Sequence, residues 1–297
     1  MIVDIHADDY GYSINTSKDI LECMKKGCLD SISIICNTNA FEESMKMLYD
    51  AIPSLPFLPL ISVHINFSEG FFINKKLPLI WTKLFIRSYL PSNKNINLVL
   101  QEEIKSQIDI VNEVTENCIE IAKMYNIKTN QKGLRIDSHT HTHLVPIVWK
   151  NLVKVIEKEK YNIEYIRNPK EPIIPFIKHS KLVFTYKIIN IIKNRILMFY
   201  SKKVDKYHKD HDIDKMYMWG LIMSGHMDFD RIKEIYPSIY DYAKKHNRNL
   251  EILLHPGMAL KEEIGKEINM DYFNNFNGNK ERLIEKDAVL RIKEIVR

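Results

Sequence analysis

The stretch LRIDSHTHTHLVPIVWKNLVKVIEKE, residues 134–159, shows the order of strand, turn and helix that recurs along the chain. Its first four residues favour a short buried strand that ends in an aspartate. Three histidines at every second position follow, and Pro146 then opens an apolar-periodic segment at a natural first helical position. The stretch therefore predicts a strand, a polar turn and a helix.

The same alternation of short apolar runs and helical segments recurs along the chain. The predicted strands are residues 2–6, 31–36, 59–64, 134–137, 163–166, 218–223 and 250–255. Strands that alternate with helices are joined as parallel neighbours by crossovers. The pattern predicts an α/β fold, an irregular (β/α) barrel of about seven parallel strands. We expect a single domain over residues 1–297 with two insertions, at about 67–97 and 168–216, which are typical of lids and binding loops.

Some helix boundaries can also be predicted. Asn15 is a candidate N-cap for the first helix, and Gly27 is a candidate C′ residue that stops it. Apolar residues at helical spacing from about Leu98 to Tyr125 predict a long second-layer helix.

The composition is that of an ordinary globular protein, with 45% hydrophobic and 27% charged residues. The net charge of +5 comes from lysines distributed along the chain. No arginine-rich helix or basic tail indicates nucleic-acid binding. The four cysteines form no CxxC pair, and the chain starts with a strand rather than a leader sequence. These features favour a reduced, cytoplasmic protein.

The most apolar segment is KLVFTYKIINIIKNRILMFY, residues 181–200. Lys187, Lys193 and Arg195 interrupt it well short of the roughly 20 apolar residues that a membrane-spanning helix needs. We therefore expect no transmembrane segment, but an amphipathic helix that packs on the domain or covers a site. Contact with a membrane surface is the alternative interpretation.

Ionisable side chains gather at the C-terminal ends of the predicted strands. They are Asp8, Asp9, His64, Asp137, His139, Arg167 and His255. Parallel barrels build their active sites at this rim. Each residue taken alone also fits a turn, a buried polar side chain or an ion pair, but their shared placement predicts that they converge on one site.

The three alternating histidines leave two interpretations open, a metal site and a polar strand end. If the segment stays extended, His139, His141 and His143 point to one face. One carboxylate and two imidazoles suit a divalent ion such as zinc, with positions left for water and substrate. A second carboxylate as general base and a histidine as general acid complete the parts for metal-assisted hydrolysis of an amide or ester.

Four motifs resemble, in this order, those of the YdjC-like carbohydrate deacetylases. They are HADDYGYS (6–13), SVHINFSEG (62–70), DSHTHTHLVP (137–146) and EILLHPG (251–257). Those proteins look like variants of the polysaccharide-deacetylase barrel, and they remove N-acetyl groups from amino sugars with a divalent metal. Because the motifs span nearly the whole chain, the resemblance implies the same fold and reaction class.

Carried over residue by residue, the resemblance implies that Asp9, His64 and His139 hold one divalent metal ion. The ligand types do not separate zinc from magnesium. His141 and His143 then look like pocket-wall residues or partners that support the ligands.

The resemblance makes Asp8 the general base that takes a proton from the attacking water. His255 becomes the general acid that protonates the departing amine. Arg167 matches an arginine that orients the base or the substrate. Asp137 and Asn66 are expected behind the ligands or against the substrate, which is an acetylated amino sugar. Barrels of this sort often pair, so a homodimer is also expected.

Some residues depart from the family pattern. His6 replaces the usual asparagine, and Phe67 and Ser68 stand where leucine and threonine are usual. The insertions resemble no one relative, so the individual sugar does not follow from the motifs. Two other functions are alternatives: a metal-dependent phosphoesterase or amidohydrolase, which often uses two metals, and a non-catalytic sugar-binding protein.

Aromatic residues of the first insertion have two interpretations. They are Phe71, Phe72, Trp81 and Phe85. They stack on sugar rings in one interpretation and form the apolar face of a lid helix in the other, which we favour.

Overall fold

The computed structural model describes residues 1–73, 77, 79–91, 94–183 and 185–296, and its core is one parallel sheet that curls around a polar interior. The seven strands are β1 (Val3–Tyr10), β2 (Ser31–Ile34), β3 (Leu60–Ile65), β4 (Leu134–Ser138), β5 (Ile163–Ile166), β6 (Met216–Trp219) and β7 (Asn249–Leu254).

The strand order is β5-β4-β3-β2-β1-β7-β6, and every pairing is parallel. β5 and β6 lie at the two ends of this row. The chain that follows β5 reaches across toward β6, because the backbone N–H of Met218 donates to the carbonyl of Lys170 at 3.1 Å. The predicted irregular barrel of about seven parallel strands is confirmed.

Helices surround the sheet. The α-helices are α1 (Ile14–Lys25), α2 (Phe41–Ala51), α3 (Trp81–Tyr89), α4 (Lys94–Met124), α5 (Pro146–Glu159), α6 (Ile174–Ile177), α7 (Ser180–Val183), α8 (Ile188–Asp210), α9 (Phe229–Lys245), α10 (Met270–Asn275) and α11 (Glu281–Arg291). Short 3-10 turns cover Ile52–Ser54, His139–Leu144, Lys261–Glu263 and Ile292–Glu294.

The strands alternate between an apolar outer face and a polar inner face. On β1, Ile5 and Ala7 join the main hydrophobic cluster under the helices. Asp4, His6 and Asp8 are buried on the other side and bond to neighbouring strands. Both faces are therefore buried, as in other parallel barrels, but the interior is filled by hydrogen-bonded polar groups.

The bounds of the sixth strand were predicted wrongly at 218–223, which shares only Met218 and Trp219 with β6. β6 ends at Trp219, and Gly220 turns the chain away with φ +148°. The buried carboxylate of Glu171 accepts the backbone N–H groups of Gly220 (2.8 Å), Leu221 (3.2 Å) and Ile222 (2.7 Å). These N–H groups are thus bound by a side chain from beyond β5 and not by a strand.

The predicted N-cap of α1 was also wrong. The side chain of Ser13, not Asn15, accepts the backbone N–H of Thr16 at 3.1 Å. Asn15 lies inside the first turn and donates to the carbonyl of Met258 at 2.7 Å. Gly27 follows the last turn with φ +64°, so its predicted role as C′ residue is confirmed.

The three alternating histidines do not stay extended. β4 ends at Ser138, and the chain enters a 3-10 turn in which Thr140 and His141 have φ of 55° and 57°. The hydroxyl of Ser138 accepts the backbone N–H of His143 at 2.9 Å, which folds the segment back on the strand end. The three rings therefore point to different surroundings.

The apolar segment at 181–200 contributes mainly to α8. The helix starts at Ile188, and part of it borders the cavity described below. In the described part of the chain, no helix has the length and apolarity required to cross a bilayer.

Gly11 is required by the turn that follows β1. Its φ is +94°, and a Cβ there would lie 2.6 Å from the backbone oxygen of Ile35. We expect Gly11→Ala to lower the free energy of unfolding by roughly 1–3 kcal/mol, because neither the backbone angle nor the contact tolerates a side chain. Urea unfolding measures this loss. Lys154→Ala, on the exposed face of α5, is the control and should change stability by less than about 0.5 kcal/mol. Equal stability of the two variants would contradict the prediction.

Candidate active site and metal centre

The end of β1 directs two consecutive aspartates to different parts of the site. Pairing between β1 and β2 is irregular between Ala7 and Tyr10, and Asp9 has φ 71°. The backbone N–H of Tyr12 closes the turn on the carbonyl of Asp9 at 3.1 Å. Such an irregularity re-aims side chains at a strand end. Asp8 therefore faces the barrel interior, while Asp9 faces β3 and the turn after β4.

The structure brings the three predicted metal ligands together. Asp9 Oδ1 lies 3.4 Å from His64 Nε2 and 3.2 Å from His139 Nδ1. All three side chains are buried, and their ligand atoms lie within 4.8 Å of one another. The three come from β1, β3 and the turn after β4, which are far apart in sequence but meet at one rim of the sheet.

Asp137 fixes the ring of His64. Its Oδ1 accepts a hydrogen bond from His64 Nδ1 at 2.6 Å, and its Oδ2 accepts one from the Ser33 hydroxyl. The other ring nitrogen, His64 Nε2, is left buried without a hydrogen-bond partner among the described residues. A carboxylate behind an imidazole whose far nitrogen is free is the usual support of a metal-binding histidine.

Glu69 lies beside the other ring nitrogen of His139, the one that does not face Asp9. Its Oε1 lies 3.1 Å from His139 Nε2, yet neither atom forms a hydrogen bond of acceptable geometry within the described part of the chain. The other oxygen, Oε2, accepts the backbone N–H of Asn269 at 3.1 Å. A second buried carboxylate thus adds negative charge beside the three ligands.

The electrostatics of this cluster favour a cation. Burial lowers the pKa of His64, but the charges of Asp8 and Asp137 outweigh it and raise the pKa to about 10. Burial likewise lowers the pKa of His139, but its hydrogen bond to Asp9 and the nearby carboxylate of Glu69 outweigh that effect and raise the pKa to about 9. The donor set, the unpartnered ring nitrogen and the excess of carboxylates fit a divalent metal ion.

Asp8 is held by Arg167. Two guanidinium nitrogens of Arg167 donate to the two carboxylate oxygens of Asp8, each at 2.9 Å, and its Nε donates to Glu251 at 2.6 Å. Burial raises the pKa of Asp8, but the charges of Arg167 and His64, with the hydrogen bond from His6, keep it well below the usual value. Arg167 is itself buried and is not among the described residues that line the cavity, so it orients Asp8 rather than a ligand.

A second group of possible ligands is already neutralised by the protein. His6, Asp8 and Asp137 also lie close enough to share an ion. However, the Arg167 guanidinium occupies this place, 2.9 Å from Asp8 and 3.2 Å from Asp137. The first cluster therefore fits one metal ion, whereas the guanidinium of Arg167 already neutralises the second.

His255 follows β7, lines the cavity and is partly exposed. Its Nε2 lies 3.9 Å from Asp8 Oδ2. Glu285 of α11 accepts the backbone N–H of His255 at 2.6 Å, and the same oxygen lies 3.5 Å from the ring Nδ1. Burial raises the pKa of Glu285, but its hydrogen bond to His255 and the charge of Arg282 lower it overall. An ionised carboxylate thus stands behind the imidazole.

The other two histidines of the 139–143 turn, His141 and His143, have different roles. His143 uses both ring nitrogens, at 2.6 Å from the Ser138 hydroxyl and 2.8 Å from the carbonyl of Arg167. It therefore holds the chain that carries Arg167. His141 lines the cavity, and burial together with the Arg167 charge holds its pKa well below the usual value, so it is neutral.

Asn66 lies behind the site and shapes its loop. Its side chain donates to the carbonyls of Glu69 and, at 3.0 Å, of the Asn37 side chain. It accepts from the backbone of Ser68 at 3.0 Å. Asn66 is not among the described residues lining the cavity, so it positions the loop that presents Glu69.

The site opens into a cavity of about 400 Å³ with apolar and aromatic walls. Trp81 from the first insertion lines it together with Tyr272 and Phe276 near α10. Phe85 stacks on Trp81 with ring centroids 5.0 Å apart. It is not one of the described residues that line the cavity. Of the four aromatic residues singled out in the sequence, Trp81 thus borders the site. Phe71 and Phe72 are outside its described lining.

Sequence reasoning missed three carboxylates of this region. Glu69 lies inside the SVHINFSEG motif, directly before Gly70, and that position was the available indication. Glu251 opens the EILLHPG motif in the same way. Glu285 lies in α11, outside all four motifs, and no local pattern indicates that it reaches His255.

The raised histidine pKa values predict how stability depends on pH. In chelator-treated protein, folded His64 and His139 keep protons that an unfolded chain loses near pH 6.5, so stability should fall as pH rises from about 6.5 through 9 to 10. Saturating zinc or magnesium should flatten this slope, because ligating imidazoles are neutral. Thermal unfolding midpoints across this range measure both slopes.

The pH slope of stability measured with metal is the control for the slope measured without metal. The buried cysteines also have raised pKa values and contribute equally with and without metal. Identical slopes in the two conditions would contradict the prediction.

Comparison with known proteins indicates the family to which the chain belongs. The model of the YdjC-like protein family matches residues 3–291. A carbohydrate deacetylase of Xenopus laevis is 25% identical over 169 residues, which are 56% of this chain and 50% of that protein, so the chain spans about half the length of the curated relative it matches.

A solved structure supports the fold alone. It is a protein of Enterococcus faecalis V583 to which cellobiose-phosphate cleavage is ascribed, with a TM-score of 0.55 and 17% identity. The similarity covers 99% of this chain and 93% of that chain. Because the family match extends over almost every residue, including all the site residues above, the chain belongs to the YdjC-like protein family.

Proposed function

We propose that the chain is a metal-dependent hydrolase that removes the N-acetyl group of an amino sugar or oligosaccharide and releases acetate. The observation that carries the proposal is that three candidate ligands, the carboxylate Asp8 and the imidazole His255 adjoin one cavity. The family match and the relative named carbohydrate deacetylase support it. We also propose that residues 1–297 act as a single domain.

Asp9, His64 and His139 would hold one divalent ion, zinc or magnesium. Such an ion supplies a Lewis acid that polarises the acetyl carbonyl and acidifies water. Glu69 lies beside His139 and would hold the ring in place and add negative charge. Asp137 would fix the ring of His64. The ligands are thus rigid before a substrate arrives.

Asp8 would act as the general base. It lines the cavity, and the charge of Arg167 keeps it ionised and fixed in one orientation. It takes a proton from the water whose oxygen attacks the acetyl carbon. Arg167 is a positioning residue in this scheme, because it contacts the base and not the cavity.

His255 would act as the general acid. It gives a proton to the nitrogen as the carbon–nitrogen bond breaks, so that the products are acetate and a free amine. Glu285 stands behind the ring and holds it in place. Base and acid thus come from the ends of the paired strands β1 and β7, and both line the cavity.

The cavity walls suit a sugar. Trp81, Tyr272 and Phe276 line it, and aromatic rings of this kind pack against the apolar faces of pyranose rings. The two insertions would select among acetylated sugars, since both contribute to the wall. A cytoplasmic location and a homodimer remain predictions from the sequence.

The phosphoesterase alternative calls for two metal ions. The cluster of His6, Asp8 and Asp137 would be the second site, but Arg167 already provides its positive charge. The alternative of a sugar-binding protein without activity calls for a lost base or acid, and Asp8 and His255 are both present.

Removing a ligand should remove the metal. We expect Asp9→Asn, His64→Gln and His139→Gln each to weaken metal binding by at least about tenfold, because a three-residue site has no spare donor. Metal content after dialysis, measured by mass spectrometry, checks this. His246→Gln changes an exposed histidine at the end of α9 and should leave the content at one ion per chain. Unchanged content in all three ligand variants, or two ions per wild-type chain, would contradict the proposal.

Removing the carboxylate behind the general acid should lower turnover. We expect Glu285→Gln to lower kcat about 10- to 100-fold with little change in KM. The reason is that Glu285 holds His255 from behind and is not among the described residues that line the cavity. Acetate release from N-acetylglucosamine oligomers measures kcat and KM.

Glu281→Gln is the matched control for this experiment. It removes a carboxylate one turn earlier in α11 that pairs with Lys187. Its kcat and KM should follow those of the wild type. A Glu285→Gln variant that keeps the wild-type kcat, or that loses activity only through a raised KM, would contradict the prediction.

A further inference from the structure

The first half of helix α8 packs on the protein with its polar side, whereas its second half buries Leu197, Val204 and Tyr207 in apolar clusters. Asn194 donates to the carbonyl of Glu171 at 2.9 Å, and Asn190 donates to the carbonyls of Ile222 and Ser224 at 3.4 and 3.2 Å. Both asparagines are buried. A surface helix normally does the opposite and turns its apolar stripe to the core.

The apolar stripe of α8 therefore faces solvent. Ile188, Ile192 and Ile196 recur at four-residue steps along one side, and Phe199 continues the stripe. Ile188 is 75% exposed and Phe199 is 65% exposed. Isolated exposed apolar residues are ordinary, but a continuous stripe marks an interaction surface.

Helix α3 of the first insertion extends this surface. Its exposed residues include Ile86 and Leu90, and the hydroxyls of Tyr89 and Tyr200 join α3 to α8 at 2.5 Å. We call the exposed side chains of Ile86, Leu90, Ile188, Ile189, Ile192 and Phe199 the apolar platform. Both helices also border the cavity, through Trp81 and Ile196, so the platform lies beside the mouth of the site.

The two segments that carry the platform contain basic residues and no acidic ones. Residues 70–101 and 172–204 contain twelve of the 43 Lys and Arg residues and none of the 38 Asp and Glu residues. The lysines are distributed along the chain, but the acidic residues are not. The remainder, with 31 basic against 38 acidic residues, is net negative although the whole chain is +5. Basic and apolar side chains are adjacent here, since the Nζ of Lys202 lies 5.8 Å from the ring centroid of Phe199.

We propose that the apolar platform docks on an anionic lipid bilayer, with α8 lying in the plane of the interface. Exposed isoleucine and phenylalanine side chains would enter the headgroup region, and the surrounding Lys and Arg residues would pair with lipid phosphates. The mouth of the cavity would then open at the membrane surface. This docking is independent of the proposed hydrolysis, since it rests on other residues.

A second copy of this chain is a less favourable occupant. A two-fold interface brings the same surface of both copies together. The basic residues of each platform would then face those of the other, with no acidic residue of either segment to pair with them. An anionic bilayer matches both the apolar and the basic part of the surface.

Vesicle co-sedimentation of the full chain tests the proposal. Vesicles of phosphatidylcholine with about 30% phosphatidylglycerol should bind the protein at least about tenfold better than phosphatidylcholine alone, and added salt should weaken binding. Replacing Ile188, Ile192 and Phe199 by serine should lower binding at least about tenfold. Arg195→Gln with Lys202→Gln should do so separately, by about tenfold, through lost charge.

The control replaces exposed apolar residues at the opposite end of the barrel. Met124 ends α4 and Tyr125 follows it, before the chain returns to β4, and changing both to serine should leave vesicle binding unchanged. Circular dichroism and thermal unfolding verify that all variants fold. None of the platform variants alters a residue that lines the cavity, so acetate release from a water-soluble sugar should stay at the wild-type level and reports on the proposed function separately.

Three results would overturn the docking proposal. One is equal binding to neutral and anionic vesicles, or to neither. Another is a serine variant of the platform that binds as tightly as the wild type. The third is a wild-type dimer in analytical ultracentrifugation that the platform variant converts to monomer, because a second copy would then cover the surface.

Discussion

The structure depends on one buried arginine inside the barrel. Arg167 bonds to Asp8 and Glu251 and lies 3.2 Å from Asp137, and all four side chains are buried. Removing one partner of such a network leaves an uncompensated buried charge and typically costs about 3–5 kcal/mol. A fold stabilised by aliphatic layers alone would not need Arg167. Here the strands that contribute the carboxylates are held together by the charge that neutralises them.

The same network prepares the site at the rim. Asp8 and Asp137, which contact Arg167, raise the pKa of His64, and Asp9 and Glu69 raise the pKa of His139. The position between Asp9 and the two rings therefore attracts a cation. Asp137 belongs to both parts, since it faces the guanidinium and also holds the ring of His64. Stability and cation binding therefore share side chains, and a change inside the barrel is expected to alter both.

Much of this arrangement could be predicted from the sequence, and the limits have physical causes. Strand ends and motifs indicated Asp9, His64 and His139, because parallel strands place their C-terminal ends at one rim. Glu285 was missed because it reaches His255 from a helix that starts 26 residues later. The end of β6 was misplaced because a buried carboxylate, Glu171, binds backbone groups that apolar periodicity assigned to a strand. Long-range polar contacts leave no local pattern.

Helix α8 shows a related limit of pattern reasoning. Periodicity predicts that a helix has an apolar and a polar side, but the burial of the polar side was not readable, because it depends on carbonyls offered by distant loops. Those carbonyls belong to the segments after β5 and β6, at the two ends of the sheet. The polar side of α8 thus satisfies backbone groups where the barrel is not closed by strand pairing, and a buried carbonyl without a donor would be costly there. Along the first half of α8 the isoleucines consequently face outward, so the gap in the sheet and the exposed surface have one structural cause.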